Sequence, residues 1–218
     1  VAGAQCPQPV GGVRGVTGRS PLLRDERGAT AAEFAMVLPL LLLFLLGILD
    51  VGRLMWEYNR AEKATQMGAR RAVVTDMVLD DAFEDYSFAL SDGILAGNPV
   101  PSSSFQEAVC NSTACSCTPG GGACSVAGYD AAAFDSIVET MNDLYPEVTD
   151  ANVIVEYRNV GLGYAGDPNG PDVAPLVTVR LTGLTFQPIT TMLFGGDIVM
   201  PDFRAALTLE DGTGTVAN

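Results

Sequence analysis

The residues able to do chemistry lie in two places. One is Glu33, a lone carboxylate just before residues 34–49, a run without any charge. An acid inside a bilayer costs roughly 2.5–3.5 kcal/mol at the centre and less near the interface, so it marks a candidate functional position. The plainer reading puts Glu33 among the headgroups, where it meets the positive end of a helix dipole. The other place is a set of cysteines, Cys110, Cys115, Cys117 and Cys124, with glycines at 120–122. Four thiols so close together make disulfides or hold zinc. Their C-x4-C-x-C-x6-C spacing lacks the paired C-x2-4-C arrangement of structural zinc, so two disulfides are expected, with no pairing selected by the spacing.

Catalytic sets are hard to assemble from the rest. The chain has no histidine, the commonest general base and a common metal ligand. It has no G-x-S-x-G nucleophile elbow and no spaced set of metal ligands. Residues 161–166, GLGYAG, spell a formal G-x-G-x-x-G, but Pro168 and Pro171 block the helix that a dinucleotide site requires. A long hairpin loop is expected there. Asp167, Asn169 and Asp172 have the oxygens for calcium but not the EF-hand order, and are read as solvated. The glycines at 120–122 are read as a turn, since no Gly-Lys-Ser/Thr follows. No enzyme, no metal and no cofactor are expected, and an extracytoplasmic hydrolase is the weakest reading.

The element that must position Glu33 is a helix. Residues 29–49 are 21 residues, about 31 Å as a helix, which matches a bilayer core. The run is apolar all round, unlike the one-sided helix of a soluble core. Pro39 inside it is expected to loosen or kink the helix about one turn earlier. Trp56 and Tyr58 fall where interfacial aromatics sit. The helix is expected to continue to about Val78, with Ala61, Ala64, Gly68 and Ala72 on one small-residue face. That face is read as packing against the chain's own head, with a partner helix as the alternative.

Gly28 precedes small residues, Glu33 follows five places later, and an apolar run stands behind it. This resembles a type IV prepilin cleavage site. More specifically, Gly28, Glu33, Phe34, Pro39, Asp50, Gly52 and Arg53 resemble the N-terminus of TadE-like proteins, minor pseudopilins of tight-adherence (Tad) pili. Gly68, Ala69, Arg70, Arg71, Ala72 and Val73 continue the resemblance, and it extends weakly over residues 153–182. The resemblance implies cleavage by a prepilin peptidase between Gly28 and Ala29, and a role for Glu33 in assembly with other pilins or pseudopilins and Tad assembly proteins. It implies residence in the bacterial inner membrane, in contact with its lipids. The alternative is an unprocessed signal-anchored protein with an extracytoplasmic binding head.

Charge fits that topology. The net charge is −14; without residues 1–28, which hold four arginines and two acids, the remaining 190 residues carry 8 basic and 24 acidic groups, a net charge of −16. Such acidity argues against nucleic-acid binding. Arg14, Arg19, Arg24 and Arg27 favour a cytoplasmic N-terminus, with Arg53, Arg60 and Lys63 flanking the other end. The expected organisation is a leader over 1–28, a transmembrane and extended helix over 29–78, and an extracytoplasmic head over 79–218.

The head is expected to be α+β, with a small antiparallel sheet of about three or four strands and helices on one side. Short helices are expected near 81–90. Residues 130–144 predict an amphipathic helix with Ala133, Phe134, Ile137, Val138, Met141 and Leu144 on one face, ended by Pro146. Alternation predicts strands at 153–158, 176–181 and 203–209. Residues 183–201 are read as a loop with a short helix near 190–194.

Overall fold

The computed structural model describes residues 26–79, 93–103, 107–117, 128–166, 173–191 and 195–209. The expected helices at 81–90, and residues Cys6, Cys124, Asp167, Asn169 and Asp172, lie outside them. The chain divides into two compact units, Val1–Leu45 and Leu46–Asn218. In the first, the described residues form the start of α1 (Glu26–Ala72), and every side chain described between 28 and 45 is exposed. The helix is uninterrupted through Pro39. Among the described residues, one helix stretch, Thr30–Ala72, is long and apolar enough to cross a membrane.

The second unit holds the rest of α1 and an α+β head. Its elements are β1 (Ala108–Cys110), β2 (Cys115–Cys117), α2 (Ala131–Asn142), β3 (Val153–Arg158), β4 (Leu176–Leu181), β5 (Thr185–Phe186), β6 (Ile198–Val199) and β7 (Phe203–Thr208). Five strands form an antiparallel sheet in the order β2-β1-β3-β4-β7, and β5 and β6 form a separate pair. β3 and β4 pair from Val153 opposite Leu181 to Arg158 opposite Leu176, so the GLGYAG segment is the hairpin loop between them.

Strands β3 and β4 alternate because one sheet face is buried in the core and the other is only partly buried. Val153, Val155 and Tyr157 of β3 and Val177, Val179 and Leu181 of β4 are buried in one core with Ala133, Phe134, Ile137, Val138 and Met141 of α2 and Ala61, Ala64, Ala69 and Ala72 of α1. The partly buried face carries the ion pairs Arg180–Glu156 at 2.7 Å and Arg158–Glu107 at 2.6 Å. Asp130 caps α2, its carboxylate accepting from the amides of Ala132 and Ala133. Such a cap is worth about 1 kcal/mol.

Four sequence expectations change. Residues 183–201, expected as a loop, contain the paired strands β5 and β6. The helix ends at Ala72, six residues before Val78. Val73, Val74 and Thr75 are successive β-branched residues with poor helix propensity, and Met77, Val78 and Leu79 are needed in the core. The Val78 amide donates to the Tyr157 hydroxyl at 3.1 Å, and its carbonyl accepts from the Asp130 amide at 3.0 Å. Burial pushes the Tyr157 phenol well above its ordinary pKa, so the hydroxyl stays protonated beneath this connection. Among the described residues the sheet has five strands, because the cysteine region supplies two that are too short to show alternation. Leu144 is half-exposed rather than on the buried face, since α2 has already ended at Asn142.

Candidate functional site

Gly28 is the third residue of α1, so the bond between Gly28 and Ala29 lies in the helix's first turn. Amides of a first turn have no intrahelical acceptor, and Gly costs about 1 kcal/mol relative to Ala within a helix, so this turn opens easily. A Cβ placed on Gly28 would meet nothing within 4 Å, so packing within the chain does not require glycine there. Glu33 lies on the exposed helix surface with Phe34, Met36 and Val37 beside it.

Asp50, one residue after the uncharged run, behaves differently. It is only 7% exposed. One carboxylate oxygen accepts from the Ile189 amide at 2.7 Å, and the other from the Thr190 amide at 2.9 Å and the Thr190 hydroxyl at 2.8 Å. Arg53 stands one turn further along α1, 3.7 Å from Asp50 and 3.7 Å from Glu57, with its guanidinium 5.2 Å from the centre of the Phe186 ring. Tyr58 meets Phe203 edge-on with centroids 4.9 Å apart. Arg60 donates twice to the Leu144 carbonyl, at 3.0 and 2.8 Å, and lies over the Tyr145 ring. Residues 50–60 of α1 are thus a docking edge for the head. Sequence reasoning picked out Asp50 and Arg53 without seeing this role. A carboxylate ending an apolar run was the only signal, and its acceptor geometry depends on residues 139 and 140 positions away.

The small-residue face continues that edge. Ala61, Ala64 and Ala72 are fully buried, and a Cβ on Gly68 would lie 2.5 Å from Met141 Sδ and 3.4 Å from Val179 Cγ1. The face packs on α2 and β4 of its own chain. Arg70 and Arg71 point to solvent in the last turn, where cations suit the helix dipole.

Cys110 and Cys115 are cross-strand partners of β1 and β2 and are joined by a disulfide. Cys117 lies in β2 opposite Ala108. We expect all four head cysteines to resist alkylation in protein purified without reductant. Mass spectrometry finding four free thiols, or bound zinc, would refute this. Removing the bond between Cys110 and Cys115 should cost roughly 2 kcal/mol, because the loop it closes is short.

Residues 161–166 adopt a loop. Gly161, Gly163 and Gly166 all have positive φ, and the segment is tied to residues 97–100 by hydrogen bonds such as Gly97 N to Ala165 O at 2.8 Å. This is backbone pairing between two loops, not a phosphate cradle opening a helix. Among the described residues no three metal-ligating side chains come together.

The exposed glycine at the helix start, Glu33, the docking edge, and Ala61, Ala64 and Gly68 of the small face lie within one matched segment. Residues 28–70 match the family model for TadE-like protein. That segment is TadE-like. The match covers 43 of the 218 residues, and no curated protein and no solved structure matches the chain. The TadE-like match over this segment suggests a component associated with the Tad pilus. The apolar part of the TadE-like helix marks a membrane-anchored protein.

Proposed function

We propose that the chain is a minor pseudopilin of a Tad-type pilus or secretion apparatus. Residues 1–28 are its leader, removed by a prepilin peptidase after Gly28. The helix from Ala29 is its anchor and stalk, and the α+β head stands outside the bacterial inner membrane with the N-terminus on the cytoplasmic side. The observation that carries this reading is the division of labour along α1. From Ala29 to Leu49 it is apolar with a single carboxylate, Glu33, and its last part is fitted into the head.

Cleavage would leave a free α-amino group on Ala29, four residues or about 6 Å along the axis from Glu33. Within one chain the two charges partly neutralise each other. Between chains, an incoming amine meets a neighbour's carboxylate in low dielectric, where the attraction far exceeds its value in water. A strain whose only copy is Glu33→Leu, compared with wild type, tests both steps. Both proteins should begin at Ala29 on N-terminal sequencing, but only wild type should form pili and cross-link to other pilins. An intact leader in cells with active peptidase would favour an unprocessed signal-anchored protein with a binding head. Wild-type pili in the mutant would remove Glu33 from assembly, because loss of a helix-end charge alone is worth only about 0.3–1 kcal/mol.

A further inference from the structure

The segment between β4 and β7 descends along α1 toward the end of the apolar run. The descent can be followed by its contacts. Phe203, beside Leu181 in the sheet, meets Tyr58. Phe186 lies under Arg53, and the amides of Ile189 and Thr190 reach Asp50. From Tyr58 to Asp50 is eight residues, about 12 Å of helix axis. Residues 46–49, the last of the uncharged run, belong to the same compact unit as this segment. The β5–β6 hairpin therefore stands at the level where the helix leaves the apolar run.

Its outer surface suits that level. Ile198 is 44% and Val199 73% exposed, while their neighbours Phe186, Leu184 and Met200 are buried. Further along α1 Met55 and Trp56 are also exposed, Trp56 about 9 Å beyond Asp50. Between Gln187 and Met200 the only charged residue is Asp197. A surface that presents apolar side chains and one carboxylate at the exit of an apolar helix matches the boundary between headgroups and acyl chains. An exposed carboxylate keeps such a hairpin in the headgroup layer and out of the hydrocarbon.

We propose that the β5–β6 hairpin is a second membrane contact, lying in the headgroup layer of the bilayer that α1 crosses, with Ile198 and Val199 against lipid. Asp50 is then the latch that holds this foot to the helix, and the head is fixed in tilt and rotation by two contacts instead of one. The proposal rests on reading α1 as the span. Its occupant is the lipid surface, because Ile198 and Val199 are exposed apolar side chains of the segment that reaches α1 at Asp50, the residue that follows the uncharged run.

Trp56 is the only tryptophan, so a Trp56→Phe chain gives a silent background. Into it, in full-length protein at one copy per nanodisc, Trp is placed at Val199, at Leu41 in the apolar run, or at Leu95, an exposed residue of the loop layer at the far end of the sheet. Lipids carrying a nitroxide on the head group should quench most of the Val199→Trp emission and shift what remains to shorter wavelength. They should leave Leu95→Trp unchanged, and acyl-chain nitroxides should quench Leu41→Trp. Ile198→Trp is a second reporter, should the first disturb folding, and is expected to behave as Val199→Trp does. If Leu41→Trp is quenched and both hairpin reporters resemble Leu95→Trp, the proposal is overturned while the span stands. If Leu41→Trp is not quenched, the span itself fails and the proposal with it. Quenching of the hairpin reporters that requires several chains in one disc would assign the surface to another copy, and also overturns the proposal.

Discussion

Gly68→Leu is expected to destabilise the head by several kcal/mol. Gly68 lies where α1, α2 and β4 converge, and the first carbon of any side chain there would already stand 2.5 Å from Met141 Sδ and 2.7 Å from Met141 Cγ. Methionine is flexible, so Gly68→Ala can be accommodated by a shift of Met141, and the gain in helix propensity, up to about 1 kcal/mol, offsets part of the cost. Leucine adds three more carbons in a space bounded by Met141 and Val179. Inserting extra methylenes into a packed core costs typically 1–3 kcal/mol and more when α1 must lift from the sheet. Against a total stability of about 5–15 kcal/mol, that is a large fraction. Urea unfolding of the full chain in detergent, followed by head proteolysis, should show a markedly lower midpoint for Gly68→Leu and a small change for Gly68→Ala. Equal midpoints for Gly68→Leu and wild type would mean that the helix does not pack here.

Asp50→Ala should release the segment at 187–190 without unfolding the sheet. The substitution leaves the Ile189 and Thr190 amides and the Thr190 hydroxyl without the acceptor they share. A partly buried donor left unsatisfied costs about 1–3 kcal/mol, and solvent entering the loosened segment recovers part of it, so a net loss of roughly 2–4 kcal/mol is expected. Asp50→Asn should not restore the latch. An amide keeps one acceptor oxygen and presents an NH2 group to whichever donors the other oxygen had served. The loss should be local, because the five-stranded sheet and α2 do not use Asp50. Hydrogen exchange should therefore show faster exchange at Ile189 and Thr190, with Val155 and Val179 unchanged. Protection at 189 and 190 equal to wild type would show that Asp50 does not hold this segment.

These two residues also separate what was legible in the sequence from what was not. The apolar run, the anomalous Glu33, the face of α2 and strands β3, β4 and β7 could all be read, because each is written in residues two to four positions apart. Apolar periodicity records which side of a local element faces away from water, and burial in the structure follows it at Val153, Val155, Tyr157, Val177, Val179 and Leu181. The small-residue face of α1 was visible by the same rule. What it packs against was not, since Met141 and Val179 are brought to Gly68 only by the folded sheet and α2.

The tertiary structure decided the rest. β1 and β2 are three residues each, too short to carry a period, and become strands because β3 offers an edge and the disulfide closes their turn. The end of α1 is set by a contest: β-branched residues weaken the helix after Ala72, and the sheet's need for Met77, Val78 and Leu79 in the core takes the chain away. Asp50 in the sequence is an acid at the end of an apolar run. In the fold it is the acceptor for two backbone amides 139 and 140 residues later. Hydrogen bonds of that reach leave no periodic trace in the chain, because a donor on the backbone places no demand on the type of residue that carries it.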